Sequence, residues 1–294
     1  MSPRHDEPDD LPSLTALTSA VASFTQASPA RMYNYYLGGG DHYEIDRTAA
    51  HQVMAAAGGD NITRVARANL QFAGRAAAWA VTKIASSLVL DIGVGLVDDL
   101  PIPNLYEAVH EANREATLVG FDYDPIVVTH GRARGYTEVL SGDVRDIDAM
   151  LDHPDLAKLG KRVNLGQPTV AVLAAVLHFV GDDEDPARVL IRLHERLPAD
   201  SALVFSHACS TQIDADTVAG MERGYDKARS QITFRSEEQI DALLNDAGWT
   251  PGMPLVDVER WAPPGEVAEQ RDKPDPVTSV RCIGTVAFSS KAAA

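Results

Sequence analysis

Apolar residues are spaced in two different ways along this chain, and the change falls near residue 86. Upstream, Val65, Phe72 and Trp79 recur every seventh residue, one stripe on a helix expected from Asn61 to about Ile84. Ser28-Pro29 is a helix start and Gly38-Gly39-Gly40 a stop, so a short, tyrosine-rich helix is predicted between them. Another helix is predicted from Asp41 to about Ala57, ended by Gly58-Gly59.

Downstream, short apolar, β-branched runs alternate with helical patterns. Strands are expected at Ser87–Asp91, Ala116–Phe121, Thr137–Leu140, Thr169–Leu177 and Ser201–Ser206, with two late ones near Pro254–Val258 and Val280–Phe288. Asp124-Pro125 and Asp185-Pro186 read as helix caps, and Ser236 with Gln239 as a capping box for a helix that stops at Gly248. Strands alternating with helices imply an α/β fold with a doubly wound, mainly parallel sheet, whose ligand sits beyond the carboxyl ends of the strands. The division expected is a flexible acidic tail over 1–27 with a short helix near Leu14–Phe24, a helical extension or lid over 28–85, and a Rossmann-like domain over 86–294.

Composition narrows the partners. The formal charge of −16 repels phosphate backbones, so a small-molecule substrate is expected rather than a nucleic acid. No apolar run reaches the roughly 18–20 residues that span a membrane, and the acidic first ten residues do not resemble a secretory signal. A cytoplasmic location follows as the expectation. Cys209 and Cys282 form no metal spacing and read as two ordinary buried thiols.

The candidate chemistry gathers at strand ends. Asp91-Ile92-Gly93-Val94-Gly95 closes the first strand, and its glycines allow close approach of backbone to a ligand. Asp91, Asp98 and Asp99 would surround a pyrophosphate with carboxylates, which disfavours an NAD-type cofactor; an ammonium- and sulfonium-bearing ligand suffers no such repulsion. S-adenosyl-L-methionine is such a ligand. Asp122 ends the second strand and can accept both ribose hydroxyls. Asp143 ends the third and can accept an adenine amino group, with Val144 against the ring. Tyr123, beside Asp122, and Ala175, near the end of the fourth strand, complete the expected cofactor contacts.

With these residues in place the chain resembles the class I methyltransferases, and within them a family called simply the S-adenosyl methyltransferases. The resemblance covers about residues 28 to 265. Its carriers are Pro29-Ala30-Arg31-Met32-Tyr33-Asn34-Tyr35-Tyr36-Leu37-Gly38-Gly39, Arg67-Ala68-Asn69, the glycine loop through Leu96, Phe121–Pro125 and Val176–Val180. It implies a seven-stranded sheet and a helical extension packed over the cofactor pocket. The chain departs from the family pattern at Val97-Asp98-Asp99, at Tyr106 in place of a histidine, and at Gly40 in place of a lysine.

The resemblance also makes the first helix a candidate part of the site. Arg31 would pair with the methionine carboxylate, Tyr33 and Tyr36 would wall the pocket, and Gly38–Gly40 would hinge a lid. For a base, His178 at the end of the fourth strand is the first candidate and His207 the second; Tyr225 and Phe234 are candidates for an acceptor pocket. The reaction expected is O- or N-methylation of a small molecule, with a homodimer left open. Two alternatives keep the cofactor: a regulatory protein that only binds it, and an enzyme that uses it for other chemistry.

Overall fold

The break in hydrophobic period near residue 86 is where helices give way to the sheet. The structure is a computed structural model that describes residues 25–96, 104–131, 135–265 and 280–291. The helix expected near Leu14–Phe24 and the departure at Val97-Asp98-Asp99 lie outside the described residues.

Three helices come first: α1 (Pro29–Leu37), α2 (Glu44–Ala56) and α3 (Asn61–Lys83). Pro29 opens α1 and Gly38, at φ 85°, closes it in the left-handed conformation that suits glycine. Helix α2 starts three residues later than the sequence suggests, because Asp46 turns back to accept the Tyr43 N–H and fixes the first turn there. On α3, Phe72 is fully buried, a ring whose burial stabilises the fold by about 1.5–3 kcal/mol.

The alternating part runs β1 (Leu88–Ile92), α4 (Leu105–Ala112), β2 (Thr117–Asp122), α5 (Pro125–Gly131) and β3 (Glu138–Ser141). Short helices α6 (Ile147–Leu151) and α7 (Pro154–Lys158) lead to β4 (Val170–Ala174), α8 (Pro186–Arg196) and β5 (Ala202–Cys209). Helices α9 (Ala215–Tyr225) and α10 (Glu237–Asp246) precede β6 (Trp249–Pro251), β7 (Val256–Asp257) and β8 (Arg281–Ser289). The Ser236–Gln239 capping box forms as expected, as do the Asp124 and Asp185 caps.

The strands lie in the order β3-β2-β1-β4-β5-β8-β6, a path of seven, with the two-residue β7 added beside β8. Strands β1 to β5 pair in parallel, and β8 runs antiparallel to β5, β6 and β7. The chain moves outward from β1 to β3, then returns to start β4 on the other side of β1. That switch opens a crevice at the carboxyl ends of β1 and β4. Alternate strand residues face opposite layers: Val89, Val172 and Val204 join the helices α1 to α3, whereas Leu90, Leu173 and Phe205 join α8 and α10. The N-terminal helices therefore share one core with the sheet. No helix among the described residues is long and apolar enough to cross a membrane.

Two expectations are corrected. The fourth strand stops at Ala174, three residues early. Ala175 has φ 58°, its N–H donates to the Ser206 carbonyl and hydroxyl oxygens (3.2 and 2.9 Å), and a 3-10 turn over Leu177–Phe179 follows. Leu177 is apolar because that turn is buried, not because the strand continues. Strand β6 is absent from the sequence reading; three residues are too few to carry a period.

Candidate functional site

The end of β1 turns sharply through Gly93 (φ 85°) and Gly95 (φ 65°). A Cβ on Gly93 would sit 2.4 Å from Val176 Cγ2, so that position excludes any side chain. Gly95 is different. Nothing lies within 4 Å of where its Cβ would be, and the residue lines a cavity. Its N–H donates to Asp122 Oδ2 at 3.1 Å, while the Asp124 N–H donates to Asp122 Oδ1 at 2.9 Å. Each oxygen of Asp122 is thus held by one backbone donor and keeps a lone pair for a ligand.

Burial pushes the Asp122 carboxyl up to about 7, against the lowering effect of those two N–H groups and with the help of nearby Asp124 and Asp91. Asp91 is almost as buried and accepts the Tyr136 hydroxyl at 2.5 Å. Two carboxylates therefore face one cavity from adjacent strands, a setting that favours a cation.

The cavity and its open mouth together hold about 850 Å³ of atom-free space, solvent included. Its floor is the strand ends: Asp91, Gly93, Val94, Gly95, Asp122, Tyr123, Ala174, Ala175 and Val176. Its walls come from α1 (Pro29, Ala30, Tyr33) and α3 (Asn69, Leu70, Ala73), with Tyr136 and Phe179. Asp91, Gly93, Gly95, Asp122, Tyr123, Ala175 and Tyr33 are therefore brought together as the sequence suggests. The gap over Gly95, the paired carboxylates and the lack of a lining cation among the described residues fit a ligand with a ribose diol and a positive charge.

Other candidates are placed elsewhere. Arg31 is completely buried behind the wall: its Nε meets Asp46 at 2.8 Å, its Nη1 meets Asp124 at 3.2 Å, and its Nη2 donates to the Gln26 carbonyl. Every arm of the guanidinium is occupied, so the position expected for a carboxylate-binding arginine is corrected to a latch between α1 and the β2–α5 turn. Tyr36 points into the core, its hydroxyl 3.3 Å from that of Tyr225, and neither lines the cavity. Gly38 caps α1 near Arg67 and also lies outside the lining. Phe234 packs against the core of the N-terminal helices, not against the cavity.

Asp143 and Val144 follow β3 but do not reach this cavity. Asp143 accepts the Arg145 N–H at 3.0 Å and pairs with the Arg145 guanidinium, which also meets Glu184 at 2.7 Å; Val144 rests against the α8-side core. His178 is buried in the 3-10 turn, outside the lining. Its Nδ1 accepts the Ala208 N–H at 3.3 Å, which puts the proton of the neutral ring on Nε2. Burial and the neighbouring His207 and Arg235 hold its pKa well below the usual histidine range. A ring whose acceptor nitrogen is taken by backbone is poorly placed to remove a proton. His207 is fixed likewise, Nδ1 donating to the Ala208 carbonyl and Nε2 accepting from Arg235, and burial pushes it down to about 3.

Sequence reasoning missed Tyr136 and Phe179 as walls and gave Asn69 no role. For Asn69 a signal existed: it lies four residues after Val65, a polar residue on an apolar stripe. Tyr136 and Phe179 carry none, because which aromatic ends at a cavity is decided by the fold.

The family described as S-adenosyl methyltransferase matches residues 17–287. A DUF574 family protein from Streptomyces avermitilis is 27% identical, with a TM-score of 0.78 over 91% of this chain and 99% of that one. A putative methyltransferase from Thermobifida fusca is 24% identical, with a TM-score of 0.78 over 92% and 98%. No curated protein matches the chain.

Proposed function

The chain belongs to the S-adenosyl methyltransferase family and is an S-adenosylmethionine-dependent methyltransferase, and from that premise we propose that it methylates an oxygen or nitrogen of a small molecule in the cavity beneath α1 and α3. One observation carries the reading: Asp122 is buried with each carboxylate oxygen anchored by a backbone N–H, opposite the open space over Gly95.

S-adenosylmethionine supplies an electrophilic methyl group and a neutral thioether leaving group. In this reading Asp122 accepts the ribose hydroxyls, and Asp91, steadied by the Tyr136 hydroxyl, meets the ammonium. The apolar walls, Leu70, Ala73, Val172 and Phe179, exclude water and hold the acceptor in line with the methyl group. No histidine lines the cavity among the described residues, and in this reading positioning of the acceptor carries most of the rate. The helical segment over 28–85 serves as a fixed wall, since the Arg31 latch and the shared core tie it to the sheet.

A small acceptor is supported by the net charge of −16, which disfavours a nucleic acid. The same reading keeps the protein in the cytoplasm. Calorimetric titration with S-adenosylmethionine and S-adenosylhomocysteine tests the site, with Asp122→Ala as the control that loses both. Incubation with methyl-labelled cofactor and a bacterial extract tests the acceptor. Label in the low-molecular-weight filtrate supports a small molecule; label retained only on macromolecules refutes it.

A further inference from the structure

We propose that Asn69 binds the α-carboxylate of the cofactor's methionine arm, an inference that rests on the cofactor reading above. Asn69 is 4% exposed on a face of α3 that is otherwise apolar, and a buried carboxamide is costly unless its groups are bonded. Its Oδ1 accepts the Ser206 hydroxyl at 2.6 Å, and its Nδ2 donates to the Tyr33 hydroxyl at 3.1 Å. Both partners are themselves fixed. Ser206 Oγ accepts the Ala175 N–H at 2.9 Å, and Tyr33 donates to the Ala66 carbonyl at 2.7 Å. These directions settle which way the amide faces. One N–H of Nδ2 then remains, with no acceptor among the described residues, on a side chain that lines the cavity.

The surrounding wall offers that N–H nothing. Leu70 and Ala73 flank it on α3, and Val172 and Ala174 lie on β4. A ligand oxygen is the remaining acceptor. Position identifies which one. Along the sheet, Asp122 ends β2, Asp91 lies on the adjacent β1, and Asn69 is bonded to Ser206 on β5, beyond β4. Three strand spacings separate β2 from β5, roughly 14 Å. In the cofactor the ribose lies at one end of the thioether arm and the α-carbon, which bears both ammonium and carboxylate, at the other, so an acceptor beyond the Asp91 position belongs to that amino-acid end. Charge is in keeping with this: Asp91 takes the ammonium and offers the carboxylate no donor, Arg31 is occupied by Asp46 and Asp124, and Asn69 is the neutral donor on the side of the arm away from Asp122.

The test compares two ligands that share the adenosine thioether and differ in the amino-acid arm. S-adenosylhomocysteine has it; 5′-deoxy-5′-methylthioadenosine lacks it. Both are titrated calorimetrically into the wild type, Asn69→Asp and Asn69→Ser, with thermal melts to confirm folding. Asn69→Asp should weaken S-adenosylhomocysteine by about tenfold or more, since loss of a charge-assisted hydrogen bond is joined by like-charge repulsion. Methylthioadenosine should change less than about twofold by the same argument. Asn69→Ser, the gentler variant, should show the same selectivity with a smaller loss, and carries the test if the Asp variant does not fold. Parallel weakening of both ligands, or no change in either, overturns the assignment. A wild type that binds neither ligand overturns the cofactor reading itself, so the two failures are told apart before any variant is measured.

Discussion

Asp122 should make the ligand-free protein less stable as pH rises, and Asp122→Asn should abolish that dependence. The carboxyl has a pKa of about 7 in the fold against an ordinary 3.8. For an acid raised on folding, the native state binds more protons than the unfolded chain between these values. Stability contributed by the neutral form is therefore full below about 3.8 and is lost as pH climbs to about 7. Each pKa unit corresponds to about 1.36 kcal/mol, so full ionisation costs the fold on the order of 4 kcal/mol. Integrating the linkage relation from pH 5 to pH 8 gives a loss of roughly 2.5 kcal/mol in the wild type and none from this site in Asp122→Asn. For a chain of 294 residues that corresponds to about 4 °C in Tm. The Asn amide will mismatch one of the two backbone N–H groups, at a cost of about 1–3 kcal/mol, but that cost is the same at every pH. The assay is a set of thermal melts of both proteins from pH 5 to 8 without ligand. The variant's Tm, relative to wild type, should climb by about 4 °C across the series, half of it by about pH 6, and level off above about pH 7. A flat difference would refute the burial argument, and with it the picture of Asp122 as a carboxylate held ready for a ligand at a cost to the fold.

Three further outcomes are expected. Arg31→Met leaves Asp46 and Asp124 buried without their cation and should cost about 3–5 kcal/mol in urea unfolding, whereas an arginine free in the cavity would cost little. Gly95→Ala should lose only about 1–2 kcal/mol from its positive φ, yet weaken S-adenosylhomocysteine by about tenfold or more because its methyl enters the ligand space; Gly93→Ala should instead lose stability beyond that strain, through collision with Val176. His178→Gln should leave calorimetric affinity for S-adenosylhomocysteine within about twofold and the pH–rate profile unmoved, as a catalytic base would not.

The parts of the fold legible in the sequence are those governed by local rules. The ends of β1, β2 and β3, the Asp124 and Asp185 caps and the Ser236–Gln239 box depend on a few neighbouring residues, and they fall within one residue of expectation, whereas β5 runs three residues past the expected Ser206. Asp91, Gly93, Gly95 and Asp122 are legible for the same reason, since a parallel strand delivers its last residues to the crevice wherever it lies in the sheet. The failures share a different cause. The run Thr169–Leu177 is uniformly apolar, so nothing local marks Ala175 as the place where Ser206, on the neighbouring strand, draws the backbone out of the ladder. Arg31 and His178 stand out in the sequence for what they could do chemically; their actual partners, Asp46, Asp124 and the Ala208 N–H, come from other elements and are fixed only by the tertiary fold.

Asp124 shows how the site and the fold depend on each other. Its N–H steadies Asp122, its Oδ1 caps α5 through Ile126, and its Oδ2 accepts both the Ser28 hydroxyl (2.7 Å) and Arg31 Nη1. Ser28 stands at the start of α1, yet its hydroxyl makes no cap there; it reaches across to Asp124 instead. Asn34, on the same helix, donates to the Leu96 carbonyl just past the glycine loop and accepts the Asp41 N–H of the turn after Gly40. Helix α1 is therefore attached to the cavity at two points, one on each side of the proposed ribose position. A wall held this way restrains the β2–α5 turn and the glycine loop before any ligand arrives, and preorganisation of that kind lowers the entropy lost on binding. It also explains why a tyrosine-rich helix closed by glycines accompanies an otherwise ordinary strand-end site: Tyr33 closes the cavity only if Arg31 and Asn34, on the same nine residues, hold it there.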